Sequence, residues 1–217
     1  MDFAAARVNM VDSQLRTNQV LDEAVLDAFL MVPRERFVPV VFHDTAYVDE
    51  DLPLGGGRAL LAPLTLARLL DAARVQATDR VLDIGGANGY GPAIVARIAA
   101  GVTVVEEDAG LAGQARARLA ELGVLHATLV EGPLAKGHAA AAPYDVIVIE
   151  GAVASIPDAV AAQLAEGGRL VTVHRSGAEP GRAILVNRIQ GALSRRILFD
   201  AAAPLLPGFA PAPSFVF

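Results

Sequence analysis

The sequence predicts an α/β fold: a mostly parallel sheet with helices on both faces, a C-terminal antiparallel hairpin and an N-terminal helical cap. Beyond Asp79, short apolar runs alternate with longer amphipathic ones, the pattern of strands joined by crossover helices. The runs between Val81 and Val148 are continuously apolar, as expected where helices cover both faces of a sheet. The first of them ends in a glycine-rich turn, Gly85-Gly86-Ala87-Asn88-Gly89, that feeds a helix. With 217 residues, 53% hydrophobic and 19% charged, the chain suits one domain with ample core, which excludes a disordered protein. That domain is expected to span 1–217, with residues 1–75 as a helical cap and loop segment and 76–217 as the ligand-binding core.

Each element has a local cause. Val8, Val11 and Leu15 give residues 3–19 a loosely amphipathic helical period. A second helix starts after Asp22, a suitable N-cap, shows Val25, Leu26, Phe29 and Leu30 on one side, and stops before Pro33. Residues 33–57 contain three prolines, a glycine triplet and the acidic cluster Asp49-Glu50-Asp51 without any sustained period. They read as one long loop, and long loops in compact domains are usually functional. A helix over 63–74 leads into the regular part. There the expected order is strand 80–84, helix 89–100, strand 102–105, helix 111–122 closed by Gly123, and strands 127–130 and 146–149. A helix opening near Pro157 and a strand over 169–173 follow. The runs 183–189 and 193–198, separated by Gln190-Gly191-Ala192, form the hairpin.

Eighteen Lys and Arg against twenty-four Asp and Glu give a net charge of −6, and the basic residues are dispersed arginines beside a single lysine, Lys136. No nucleic-acid partner is expected from such a surface. No apolar run approaches the roughly 20 residues of a membrane span, and the start lacks a basic stretch followed by an apolar one. No membrane association and a cytoplasmic location are therefore expected. The absence of cysteine excludes disulfides and thiolate chemistry, and His43, His126, His138 and His174 show no metal-ligand spacing, so no metal is expected.

The turn after Asp83 carries the most chemical information. Glycines let a backbone turn sharply and approach a ligand, and the following helix N-terminus offers unpaired amides. A dinucleotide fingerprint needs glycines in the order Gly-x-Gly-x-x-Gly, and Ala87 and Asn88 break that register after Gly85. An acid at the strand end suits S-adenosylmethionine better, because that cofactor carries an ammonium and a sulfonium rather than a pyrophosphate. Glu106 lies 23 residues beyond Asp83 at the end of the next strand, where a carboxylate accepts ribose hydroxyls. A nicotinamide or flavin site, or a glycine turn without a ligand, remains open on these residues alone. For Asp83 and Glu106 the plain alternatives are a loop-bracing acid and a solvated strand end beside Glu107.

The chain resembles the protein-L-isoaspartate O-methyltransferase family. The residues that carry the resemblance are Met10-Val11 with Gln14-Leu15, Val25-Leu26-Asp27-Ala28, the run Val32-Pro33-Arg34-Glu35-Arg36-Phe37-Val38-Pro39, and Ala46-Tyr47 with Asp49. Further on are Val81 to Tyr90, Glu106, Ala142-Pro143-Tyr144-Asp145, Ile156-Pro157 and Gly167-Gly168-Arg169-Leu170-Val171. The resemblance implies a Rossmann-like class I methyltransferase fold, S-adenosyl-L-methionine as cofactor, and a peptide or protein with an isoaspartyl residue as the substrate whose carboxylate is methylated. It also implies a cofactor site of Asp83, Gly85, Gly86, Ala87, Gly89, Glu106, Glu107, Gly132 and Pro133.

Several positions depart from the family pattern. Its polar Thr-Ile-Ser-Gln-Pro run stands here as Ala59-Leu60-Leu61-Ala62-Pro63, and its Gly-Asp-Gly aligns with Gly132-Pro133-Leu134. Its threonine after the fourth core strand aligns with Glu150, and a middle glycine of the cofactor turn is Ala87. These changes leave two alternatives to isoaspartyl methylation: transfer to a different acceptor, or a non-catalytic relative that keeps the fold. The candidate catalytic groups are Asp49 in the loop and Glu150 at a strand end. Arg34 and Arg36 are expected to brace the N-terminal segment through salt bridges.

Overall fold

A computed structural model describes the whole chain except Ala178 and residues 211–217. The expected domain end at 217 lies outside the described residues. The cap begins with α1 (Phe3–Met10), whose N-cap Asp2 accepts a hydrogen bond from the Ala5 amide. The predicted helix over 3–19 does not stay α-helical. It widens to a π-turn at Val11–Leu15 and tightens to a 3₁₀ turn at Arg16–Asn18 before ending on Gln19 at φ 67°. Helix α2 (Glu23–Met31) starts from Asp22 as expected, with the carboxylate accepting the Ala24 amide at 2.9 Å.

Residues 33–57 are more regular than one long loop. They hold 3₁₀ turns at Arg34–Phe37 and Val40–Thr45 and lead into a small antiparallel hairpin of β1 (Leu52–Gly55) and β2 (Arg58–Leu60). The glycine triplet shapes its turn, Gly55 ending β1 and Gly56-Gly57 making the reversal, all three with positive φ. Strands of four and three residues are too short to show a period, which is why the hairpin is not legible in the sequence. Helix α3 (Pro63–Ala73) follows, and Asp71 on it accepts the Leu21 and Asp22 amides at 2.8 Å each, tying the cap to the core.

The main sheet contains β3 (Arg80–Ile84), β4 (Gly101–Glu106), β5 (Ala127–Glu131), β6 (Tyr144–Val153), β7 (Leu164–His174), β8 (Arg182–Ile189) and β9 (Ala192–Asp200). Their order is β5-β4-β3-β6-β7-β8-β9, parallel through β7 and antiparallel for the last two. This is the predicted Rossmann-like sheet with its C-terminal hairpin. Strand order reverses at β3, which lies between β4 and β6 with all three parallel, so the ligand crevice of such a sheet opens at the carboxyl ends of β3 and β6. The helices between strands are α4 (Tyr90–Val95), α5 (Ala109–Glu121) and the single turn α6 (Asp158–Ala161).

Three boundaries differ from expectation. Helix α4 stops at Val95 instead of reaching residue 100, because the chain tightens into Arg97→Ile94 and Ile98→Val95 amide bonds and Ala100 donates to Asp79 on the way into β4. Strand β6 runs four residues beyond 149. Its free edge there pairs with the C-terminal segment, Ala152 N–H donating to Pro204 O and Leu206 N–H to Ala152 O. Strand β7 starts at Leu164 and carries a register shift opposite Tyr144 and Val146. The inner strands β3, β4 and β6 are mostly buried, while β5 is an edge strand and β9 is mostly exposed.

One buried apolar cluster extends from Met10 in the cap through α3 and α4 to Ala203. Phe29 and Phe37 meet Tyr90 edge-on at 6.1 and 5.4 Å, so the cap packs on the first residue of α4. Arg34 does not brace this region by a salt bridge. It is fully buried, its guanidinium lies 4.9 Å from the Tyr90 ring centre, and it donates to Ala46 O and Leu61 O at 2.8 Å each. Arg36 does form an ion pair, with Glu121 of α5. Among the described residues no helix is long and apolar enough to cross a membrane.

Candidate cofactor site

Asp83 sits on β3 with no exposed surface. The turn after it has Gly85 at φ 77°, Ala87 at φ 48° and Gly89 at φ 98°. Gly86 must be glycine for space: an added Cβ would lie 2.6 Å from the Pro92 side chain and 2.8 Å from an Asp83 carboxylate oxygen. Asn88 donates to Phe37 O, fastening the turn to the cap. Ala87 is strained, because a left-handed φ brings a Cβ against its own backbone. Its amide donates to Glu106 Oε2 at 2.9 Å.

Glu150, the candidate at a strand end, does not open to solvent. It is 5% exposed and faces α4, where Gly91 makes room for it: a Cβ on Gly91 would lie 1.7 Å from Glu150 Oε1. Asp83 and Glu150 are neighbours without a cationic partner of their own, and neither Asp83 oxygen nor Glu150 Oε1 has an ordinary donor. Burial, then the adjoining carboxylate, pushes the Asp83 carboxyl well up. Burial likewise raises Glu150, to about 7, even though Asp83, Arg58 and Arg34 favour its charged form. A single proton held between the two supplies each with a partner, so the pair titrates as a unit.

Glu106, also fully buried, is not a solvated strand end. Its Oε1 accepts the Glu107 and Asp108 amides at 2.9 and 3.0 Å, and Arg58 of β2 reaches across to bind both its oxygens, at 2.6 and 3.0 Å. The same guanidinium donates to Gly85 O at 2.9 Å. Leu206 closes the other side, its side chain lying 3.1 Å from where a Gly85 Cβ would stand and 2.5 Å from a Gly151 Cβ.

The remaining candidates lie around this centre. Glu107 is exposed, Gly132 donates its amide to Glu106 O at 3.0 Å, and Pro133 is exposed at the start of a 3₁₀ turn. Asp49 and Asp51 accept the Leu64 and Ala62 amides at 2.9 and 2.7 Å, so both carboxylates cap the start of α3. Leu60, Leu61 and Ala62 are buried, which makes the facing wall apolar. Arg58 and Leu206 were not visible as site residues. Nothing in sequence spacing tells where a long side chain on a short hairpin will point, whereas Gly91 within α4 was a readable sign that something bulky faces it.

The donor set suits an adenosyl cofactor, with a strand-end acid, a glycine turn and a second acid at the next strand end. The space between those donors is held by Arg58 and Leu206. Among the described residues no group of three or more His, Asp or Glu is placed to hold a metal ion.

Residues 6–192 match the family described as Protein-L-isoaspartate(D-aspartate) O-methyltransferase. The chain is 40% identical over 214 residues to a protein-L-isoaspartate O-methyltransferase of Koribacter versatilis (strain Ellin345), covering 97% of this chain and 96% of the relative. A relative of that name from Methylorubrum extorquens (strain PA1) is 43% identical over 173 residues, 78% of this chain and 74% of its own. A solved protein-L-isoaspartate O-methyltransferase superposes with a TM-score of 0.81 at 25% identity, covering 93% of this chain and 66% of that one. The fold is shared with a Plasmodium falciparum protein crystallised with S-adenosyl-L-homocysteine, at a TM-score of 0.79 and 16% identity over 95% of this chain and 98% of that one. With a match that spans cap, turn and sheet together, this chain belongs to the protein-L-isoaspartate O-methyltransferase family.

Proposed function

We propose that this protein methylates the carboxylate of isoaspartyl residues in peptides or proteins, with S-adenosylmethionine as donor. The observation that carries this reading is the 40% identity over 97% of the chain with a relative named for that activity. When bound, the cofactor supplies an electrophilic methyl group. The chain's part is positional, because a carboxylate is already ionised and nucleophilic at neutral pH and needs no base. The turn from Gly85 to Gly89 and Glu106 would hold the donor. The backbone of Leu61, fixed by Arg34, would form the acceptor wall in place of hydroxyl and amide side chains. A protonated Asp83 beside Glu150 keeps the floor from carrying two charges close to the acceptor.

Incubating the protein with radiolabelled S-adenosylmethionine and an isoaspartyl peptide should give a base-labile methyl ester, absent with the matching aspartyl peptide. No ester in a preparation shown to bind the cofactor would sink the reading. The buried apolar run Leu60-Leu61-Ala62 favours a second one, transfer to another acceptor, and methylation of a different carboxylate or hydroxyl substrate would support it.

A further inference from the structure

The Glu106 carboxylate is already saturated. It accepts five N–H donors, two from Arg58 and one each from the amides of Ala87, Glu107 and Asp108, whereas a carboxylate offers about four lone-pair sites. No acceptor is left for ribose hydroxyls unless a donor leaves. The three amides belong to the turn and to the strand end and cannot leave without rebuilding both. Arg58 can leave, since it extends from a hairpin outside the main sheet whose exposed turn, Gly55–Gly57, has open space around every glycine. The guanidinium also occupies the face of Gly85, 3.2 Å from where a Cβ would stand, which is the surface a ligand would pack against.

We propose that Arg58 is an internal competitor for the adenosyl cofactor. Its side chain holds the acceptor that the ribose requires, so the cofactor enters only when the β1–β2 hairpin withdraws the guanidinium. The inference rests on the proposed function only for the identity of the ligand. Bidentate, charge-assisted bonds to a buried carboxylate are strong, so the competition weakens cofactor binding substantially. Removing the guanidinium does not strand Glu106, because its three backbone donors remain.

Calorimetric titration with S-adenosyl-L-homocysteine tests the proposal. Arg58→Met, which keeps the length and loses the charge, should bind at least ten-fold tighter than the wild type, and Arg58→Lys, which keeps the charge without the bidentate grip, should fall between the two. Equal or weaker binding by Arg58→Met, or no binding by either protein, would overturn it. Hydrogen exchange on the wild type gives a measure that does not depend on a variant folding. Saturating ligand should speed exchange at residues 55–60 while slowing it in the turn, and added protection at 55–60 would overturn the proposal. Methyl transfer by a wild type that binds as tightly as Arg58→Met would sink the competition and leave the function. Tighter binding by Arg58→Met with no ester formed by either would do the reverse.

Discussion

The floor of the cleft and the wall facing it meet at Arg58, and they satisfy polar groups by different means. On the floor, Asp83, Glu106 and Glu150 are buried acids whose partners are backbone amides, an arginine and a shared proton. On the wall, Ala59 to Ala62 contribute no polar side chain, and the polar atoms in use are main-chain ones, with Leu61 O accepting from Arg34 and the Ala62 amide donating to Asp51. The floor therefore depends on protonation and on exact side-chain volume. The wall depends on where its backbone is held.

The largest effect expected is at Gly91. In an exposed helix, Gly→Ala gains about 1 kcal/mol of stability. Here the new methyl would meet the Glu150 carboxylate, so Gly91→Ala should cost about 2–3 kcal/mol as an overpacked core site. Urea unfolding of Gly91→Ala, Glu150→Ala and the double variant would give a coupling of about 2 kcal/mol between them. Additive effects would mean that Glu150 swings aside freely, and the floor would then be no tighter than the wall.

The proton shared by Asp83 and Glu150 sets the next effect. Both carboxyls titrate higher in the folded protein than in the unfolded chain, Glu150 at about 7 against an ordinary 4.5. Between those values the native state holds the extra proton, so stability falls as pH rises through the window. Glu106, Arg58 and Arg34 face the same pair and act on its titration. Glu150→Gln removes one titrating group and offers Asp83 an amide donor. Thermal melts between pH 4.5 and 8 should show the wild type losing ground to Glu150→Gln up to about pH 7, and a constant difference would mean that the pair is ionised throughout.

How much of this was legible in the sequence follows the same division. The Asp83–Gly89 turn and Glu106 could be read because strand-turn-helix chemistry is local: an apolar run, glycines, and an acid one strand later. Glu150 could be found as a crevice residue but not as half of a proton-sharing pair, since its partner lies 67 positions earlier on a neighbouring strand. Arg58 and Leu206 could not be found at all. One reaches the site from a hairpin of three- and four-residue strands, and the other from a segment that pairs with the overhang of β6. Asp49 attracted a functional reading because it lies in an acidic loop, while its position in the fold is that of a cap on α3.

The smallest expected effect bears on the turn itself. Ala87 holds φ 48°, a region that costs an L-residue roughly 1–2 kcal/mol and costs glycine almost nothing. Glycine gives back part of that gain through the freedom it adds to the unfolded chain, so Ala87→Gly should stabilise by about 0.5–1 kcal/mol. The Ala87 amide is one of the backbone donors to Glu106, so relaxing the turn acts on the acceptor at the centre of the cleft as well as on stability. If backbone strain were the main obstacle to the cofactor, Ala87→Gly would tighten S-adenosyl-L-homocysteine binding as much as Arg58→Met. The geometry predicts otherwise: a small gain in urea midpoint and little change in affinity while Arg58 still grips both oxygens of Glu106. A large affinity gain from Ala87→Gly alone would move the barrier from the wall's arginine to the floor's backbone.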